Sequence, residues 1–136
     1  MATSSVKWVG GKTFIGTDST SHSVVLSTPA DGVGIKPSEL LLIALSSCSA
    51  VDVVEILNKK RMPLSQLEIS ATAEQDETPP WTFRKIHLHY CLSGKNLDGK
   101  SVDQAIRLSE EKYCSVAATI RSTADITTDF EIVPEI

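Results

Sequence analysis

The chemistry open to this chain of 136 residues rests on three cysteines, Cys48, Cys91 and Cys114, and on the groups spaced around them. Cys48 stands among small residues, Ser46, Ser47, Ser49 and Ala50, which leave room around its thiol. Cys114 follows Lys112 and Tyr113 and precedes Ser115. A thiolate that attacks an oxidant becomes a sulfenic acid, and a second thiol within reach resolves it before it oxidises further. Cys48 and Cys114 meet that need if the elements carrying them touch. Taken singly, each is more simply a buried thiol acting as a small hydrophobe.

Cys91 shares one strand face with His87 and His89. A thiol and two imidazoles are metal ligands, but no carboxylate stands at ligand spacing, so a half-exposed strand face is expected, with no metal and no cofactor. A zinc site from Cys48, Cys114 and a histidine has no recognisable spacing. Glu39 fits both a functional carboxylate and a plain first-turn helix charge. Asp52 follows Cys48 by four residues, on the same helical face, where a carboxylate works against thiolate formation. A glycine-rich phosphate loop, a Ser–His–Asp order and paired catalytic carboxylates are not identifiable.

The element that must position Cys48 is residues 37–60. Its one proline, Pro37, is at the front, where a helix tolerates it. Leu40 to Leu45 are apolar without interruption, and Val51, Val53, Val54, Ile56 and Leu57 continue on several sides. A helix apolar nearly all round is expected to be central and buried on more than one face. Lys59, Lys60 and Arg61 suit its negative end, and Met62–Pro63 should stop it. A chain this short has trouble covering such a helix, so a homodimer is expected.

Ahead of that helix, residues 6–9, 13–16 and 22–27 read as three strands, the first two a hairpin about Gly10–Gly11, and residues 28–34 as a loop. Leu67 to Glu74 alternates at period two, and residues 81–92 place Ile86, Leu88, Tyr90 and Leu92 on one face; the two strands form an antiparallel pair. Ser101 and Gln104 fit a capping box that opens a second helix running to about Tyr113, with Val102, Ala105, Ile106, Ser109 and Tyr113 on its packed side. Val116 to Ile120 could add a short helix capped by Ser115. Residues 125–133 alternate as a last strand. The order βββ-α-ββ-α-β is α+β with a mainly antiparallel sheet, in a single domain.

Composition excludes several classes. Hydrophobic content of 41% and charged content of 22% are those of a globular protein. A net charge of −4 argues against nucleic acid as partner. No apolar run approaches the span of a bilayer, and the first residues lack the pattern of a signal peptide, so no membrane partner is expected. An odd number of widely spaced cysteines is not a disulfide framework and points to a reducing, cytoplasmic setting.

The wording of the chain resembles the OsmC/Ohr superfamily of osmotically inducible and organic hydroperoxide resistance proteins. The likeness rests on Lys36-Pro37-Ser38-Glu39-Leu40-Leu41-Leu42, on Cys48 nine residues after Glu39, and on Lys112-Tyr113-Cys114-Ser115-Val116 after the second helix. Val6-Lys7-Trp8-Val9, Thr13-Phe14 and the run from Cys48 to Val54 are similar, more narrowly, to the YhfA-type subgroup. The resemblance implies an intertwined homodimer whose long helices pack between sheets, with each active site built from both chains. It gives Cys48 as peroxidatic thiol, Cys114 as resolving thiol and Glu39 as the carboxylate paired with a family arginine. That arginine normally precedes the first helix, yet residues 1–36 contain none. Lysine is a point charge without the guanidinium fork, so a cation from Lys36, Arg84, Arg121 or a second chain would have to substitute.

Two functions follow as expectations. One is a thiol-dependent reductase of organic hydroperoxides recycled by a dithiol reductant. The other is a redox-sensing or small-ligand-binding protein of the same fold, without peroxidase turnover, whose partner is a small apolar ligand.

Overall fold

The computed structural model describes residues 1–135. Its elements run β1 (Ser4–Trp8), β2 (Thr13–Asp18), β3 (Ser23–Ser27), α1 (Pro37–Lys59), β4 (Leu64–Gln75), β5 (Phe83–Gly94), α2 (Gly99–Leu108), a π-turn (Ser109–Tyr113), α3 (Ser115–Ile120) and β6 (Asp125–Ile132). This is the α+β order expected. The strands form two three-stranded sheets, β1-β2-β3 and β4-β5-β6. The chain gathers into two compact units, Met1–Leu42 and a second from Ile43 onward, with α1 starting in the first.

In the first unit both strand pairings are antiparallel. The loop that leads to α1 is tied down by Asp31, whose carboxylate accepts from the Lys12 amide and the Thr13 hydroxyl, each at 2.8 Å. Gly34 passes so close to β3 that a Cβ there would lie 2.7 Å from the Val25 carbonyl oxygen. Only glycine allows Ile35 to bridge alongside Leu26 at that point.

In the second unit β4 and β5 pair antiparallel, whereas β5 and β6 are parallel. Ile86, Leu88, Tyr90 and Leu92 point from β5 into the core, and α1 contributes Leu45, Ser49, Val53 and Leu57. These four sit every fourth residue, a single stripe. Full burial of one such leucine stabilises by roughly 1.5–3 kcal/mol. The expectation that α1 is buried on several faces therefore fails within one chain: Leu41, Ile43, Val51 and Val54 are exposed.

The composition argument against membrane spans also needs correction. At 23 residues, α1 is by length and composition long and apolar enough to cross a bilayer. Its stripe of buried residues is equally that of a core helix. It ends in a Schellman motif, not merely at Pro63: Arg61 is left-handed at φ 60°, Met62 N–H donates to Leu57 carbonyl at 2.9 Å and Arg61 N–H to Asn58 carbonyl at 3.0 Å.

The second helix departs from expectation at both ends. Its N-cap is Asp98, which accepts from the Ser101 amide at 2.7 Å, and not Ser101. An Asp three residues ahead captures that donor first. Beyond Leu108 the backbone passes into the π-turn, whose bond from Cys114 N–H to Ser109 carbonyl, 2.7 Å long, spans five residues. The extra residue turns Tyr113 outward, 53% exposed, and brings Cys114 inward, 3% exposed. Helical spacing selected Tyr113 for the packed side; π spacing selects Cys114.

Candidate dithiol site

Cys48 is half-buried on α1 and Cys114 is buried at the junction of the π-turn and α3. Burial pushes the Cys114 thiol up to about 11, helped by a hydrogen bond with Cys48. A thiol so held keeps its proton, and the hydrogen bond stabilises that neutral form. Cys114 is also the N-cap of α3, where Ser115 was expected: its Sγ accepts from the Ala117 amide at 3.3 Å. The structure thus brings Cys48 and Cys114 together, while Cys91 lies on the opposite face of β5, beside Glu131 and Glu68.

Around the pair runs a polar chain that the reading of spacings missed. Ser49 Oγ and the Tyr90 hydroxyl are 2.6 Å apart in the interior. Ser109 Oγ lies 3.2 Å from Ser49 Oγ and donates to Asp52 at 2.8 Å. Burial pushes Tyr90 up to about 12, only partly offset by its Ser49 bond. Asp52, read from sequence as an opponent of thiolate formation, has a hydroxyl partner here. A serine on the Leu45–Val53–Leu57 stripe was the signal that could have exposed this chain, since a buried hydroxyl needs a partner.

The cations considered as substitutes for the missing arginine are engaged. Lys36 pairs with Glu39 at 2.9 Å, within the first unit. Arg84 pairs with Asp76 at 2.9 Å. Arg121 donates to the carbonyls of Glu110 and Ala117.

The face bearing Cys91 also differs from expectation. Parallel register sets Thr127, Asp129 and Glu131 of β6 beside His87, His89 and Cys91. Asp129 Oδ1 lies 2.7 Å from His87 Nε2 and 2.8 Å from His89 Nδ1, and His89 Nε2 lies 3.2 Å from Glu131. Carboxylates absent from sequence neighbours are thus supplied by pairing. Hydrogen bonds that Asp129, then Glu131, accept from His89 raise the pKa of its ring, and the same contact lowers that of Asp129. Among the described residues no three such side chains are arranged to hold a metal ion.

The first unit holds an open cavity of about 710 Å³ with mostly apolar walls, including Val6, Phe14, Val24, Leu26 and Leu40.

The sequence pattern of the OsmC-like protein family matches residues 30–129, which include both thiols and all of α1. The chain belongs to the OsmC family. Protein YhfA of Escherichia coli (strain K12) is 38% identical over 128 residues, covering 94% of this chain and 96% of that protein. A hypothetical protein from Aquifex aeolicus VF5 has a solved structure that matches with a TM-score of 0.89 at 30% identity, over 100% of this chain and 98% of the other. The organic hydroperoxide resistance protein OhrB of Bacillus subtilis matches at a TM-score of 0.65 and 17% identity, over 96% of this chain and 98% of that one, a likeness of fold. The OsmC assignment accounts for the α+β architecture.

Proposed function

We propose that this OsmC-family chain is a thiol-dependent reductase of organic hydroperoxides, with Cys48 peroxidatic and Cys114 resolving. The observation that carries the reading is the contact between the two thiols, one half-buried and one buried and held protonated. Cys48 thiolate attacks the distal oxygen of the hydroperoxide; the O–O bond breaks, the alkoxide takes a proton from solvent and leaves as the alcohol, and Cys48 becomes a sulfenic acid. Cys114 then attacks that sulfur, water departs, and a disulfide forms. A dithiol reductant restores both thiols and is itself oxidised to a disulfide. In this reading Glu39 keeps the role of the carboxylate that pairs with a cation, and within the first unit its partner is Lys36.

The setting is cytoplasmic and reducing, and the working form is a homodimer. Support for the dimer comes from the apolar side of α1, where Ile43 is 47% and Val51 59% exposed. Such a surface on a chain of this size is covered in solution by a partner.

A second reading, a redox sensor or small-ligand binder without turnover, is favoured by one observation: residues 1–36 contain no arginine. The apolar cavity of the first unit suits its ligand. Peroxide consumption separates the two. With cumene hydroperoxide and dihydrolipoamide, the reductase consumes peroxide catalytically and Cys48→Ser abolishes it. Wild-type protein that forms a disulfide once but does not turn over overturns the first reading in favour of the second.

A further inference from the structure

Ser109 is bonded to both cysteine-bearing segments at once. Its side chain reaches α1, donating to Asp52 at 2.8 Å and lying 3.2 Å from Ser49 Oγ, the residue next to Cys48. Its carbonyl accepts the Cys114 amide at 2.7 Å, the bond that closes the π-turn. Its own amide is held by the carbonyls of Ala105 and Ile106, so α2 fixes it from behind. The residue is fully buried, as is Tyr90, whose hydroxyl completes the chain through Ser49. A hydroxyl has one proton, and the carboxylate is the stronger acceptor, so that proton goes to Asp52.

We infer that Ser109 is a positioning residue, a clamp that fixes where the π-turn delivers Cys114 against Cys48 and so sets the stability of their disulfide. This deepens the dithiol reading above and rests on it. The π-turn supplies the geometry: single π-turns inside helical segments accommodate one extra residue, and here that residue is what rotates Cys114 inward. Bond formation draws the sulfurs from hydrogen-bond contact to about 2.05 Å. Cys114 must therefore shift, and a turn anchored to α1 starts that shift from one short approach. Without the anchor the turn samples wider separations, and the effective concentration of one thiol at the other falls. The role of Asp52 changes with it. Asp52 serves as the acceptor that holds the clamp, and its charge is secondary to that.

The test is thiol–disulfide exchange at equilibrium. Two thiols and glutathione disulfide give the intramolecular disulfide and two glutathiones, so the ratio of glutathione species at half oxidation reads the pair directly, without peroxide. Ser109→Ala and Asp52→Ala each lower the equilibrium constant for disulfide formation about tenfold, or about 30 mV toward a more oxidising couple. Asp52→Asn keeps an acceptor without charge and stays within about twofold of wild type, a rescue that loss of packing alone does not give. Far-UV circular dichroism confirms that each variant is folded; should Ser109→Ala unfold, the two Asp52 variants decide between themselves. Equal constants for wild type, Asp52→Ala and any folded Ser109→Ala overturn the clamp and leave the dithiol reading standing. A shift in Asp52→Asn as large as in Asp52→Ala also overturns it, in favour of charge. A wild-type protein with no Cys48–Cys114 disulfide on peptide mapping overturns both.

Discussion

The hydroxyls of Ser49 and Tyr90 meet at 2.6 Å across the interface between α1 and β5, both side chains buried. The contact joins the helix that carries Cys48 to the central strand of its sheet by a polar bond placed among apolar neighbours. Its worth follows from burial, because a hydroxyl left unpaired inside bears its desolvation cost.

Tyr90→Phe keeps the ring and removes the hydroxyl, while Ser49 retains Ser109 beside it. The expected loss is about 1 kcal/mol. Urea unfolding measures it, and a midpoint equal to that of wild type would show that the contact adds nothing.

Alkaline pH acts on the same region. Tyr90 rises from 10.0 to about 12 and Cys114 from 9.0 to about 11 on folding. Both folded values are raised, so the unfolded chain releases these protons first and stability falls as pH climbs. The contribution is whole below pH 9 and drains away between about 9 and 12. A thermal-unfolding series in alkaline buffers should show that decline, less steep in Cys114→Ser at its lower end. A flat series up to pH 11 contradicts both assignments.

The N-cap of α2 separates two residues that sequence alone confuses. Asp98→Ala should cost about 1 kcal/mol, since it strips the acceptor from the Ser101 amide. Ser101→Ala should change little. The reverse order in chemical denaturation restores Ser101 as the cap.

His89 gains its proton affinity first from Asp129 and then from Glu131. Its titration followed by NMR should have a midpoint above the ordinary 6.5. Asp129→Asn should bring the midpoint down. A midpoint that does not move in that variant rules out the pairing drawn by β6.

The exposed side of α1 is the natural place to break a dimer. Val51→Lys puts a charge where the side chain is 59% exposed in one chain. Sedimentation should find wild type dimeric and the variant shifted toward monomer. A monomeric wild type at micromolar concentration discards the dimer.

Most elements were legible because their causes are local. The alternation from Leu67 to Glu74 and from Ile86 to Leu92 states which side of each strand is buried, and both runs are strands. The run from Pro37 to Lys59 declares a helix through its apolar content, but not how much of it one chain covers. What escaped depends on distant pairing. Nothing near His89 in sequence announces Asp129, which arrives only through parallel register. The π-turn escapes because one inserted residue leaves no compositional mark, so helical spacing points Tyr113 inward and leaves Cys114 at the end of the helix. Of the candidate site, the two thiols were legible as residue types, and their meeting follows from that turn.

The parallel pairing of β5 with β6 has a consequence for the order of assembly. Parallel neighbours need a crossover, and here it comprises α2, the π-turn and α3, so Cys114 sits inside the connection itself. The hairpin β4–β5 can form from contacts close in sequence, whereas β6 docks only after the whole connection has been laid down and its loop entropy lost. Cys114 is therefore seated late. Until then the emerging chain holds Cys48 and Cys91 without their final surroundings, and the thiol partner of Cys48 is decided by the last strand to join the sheet.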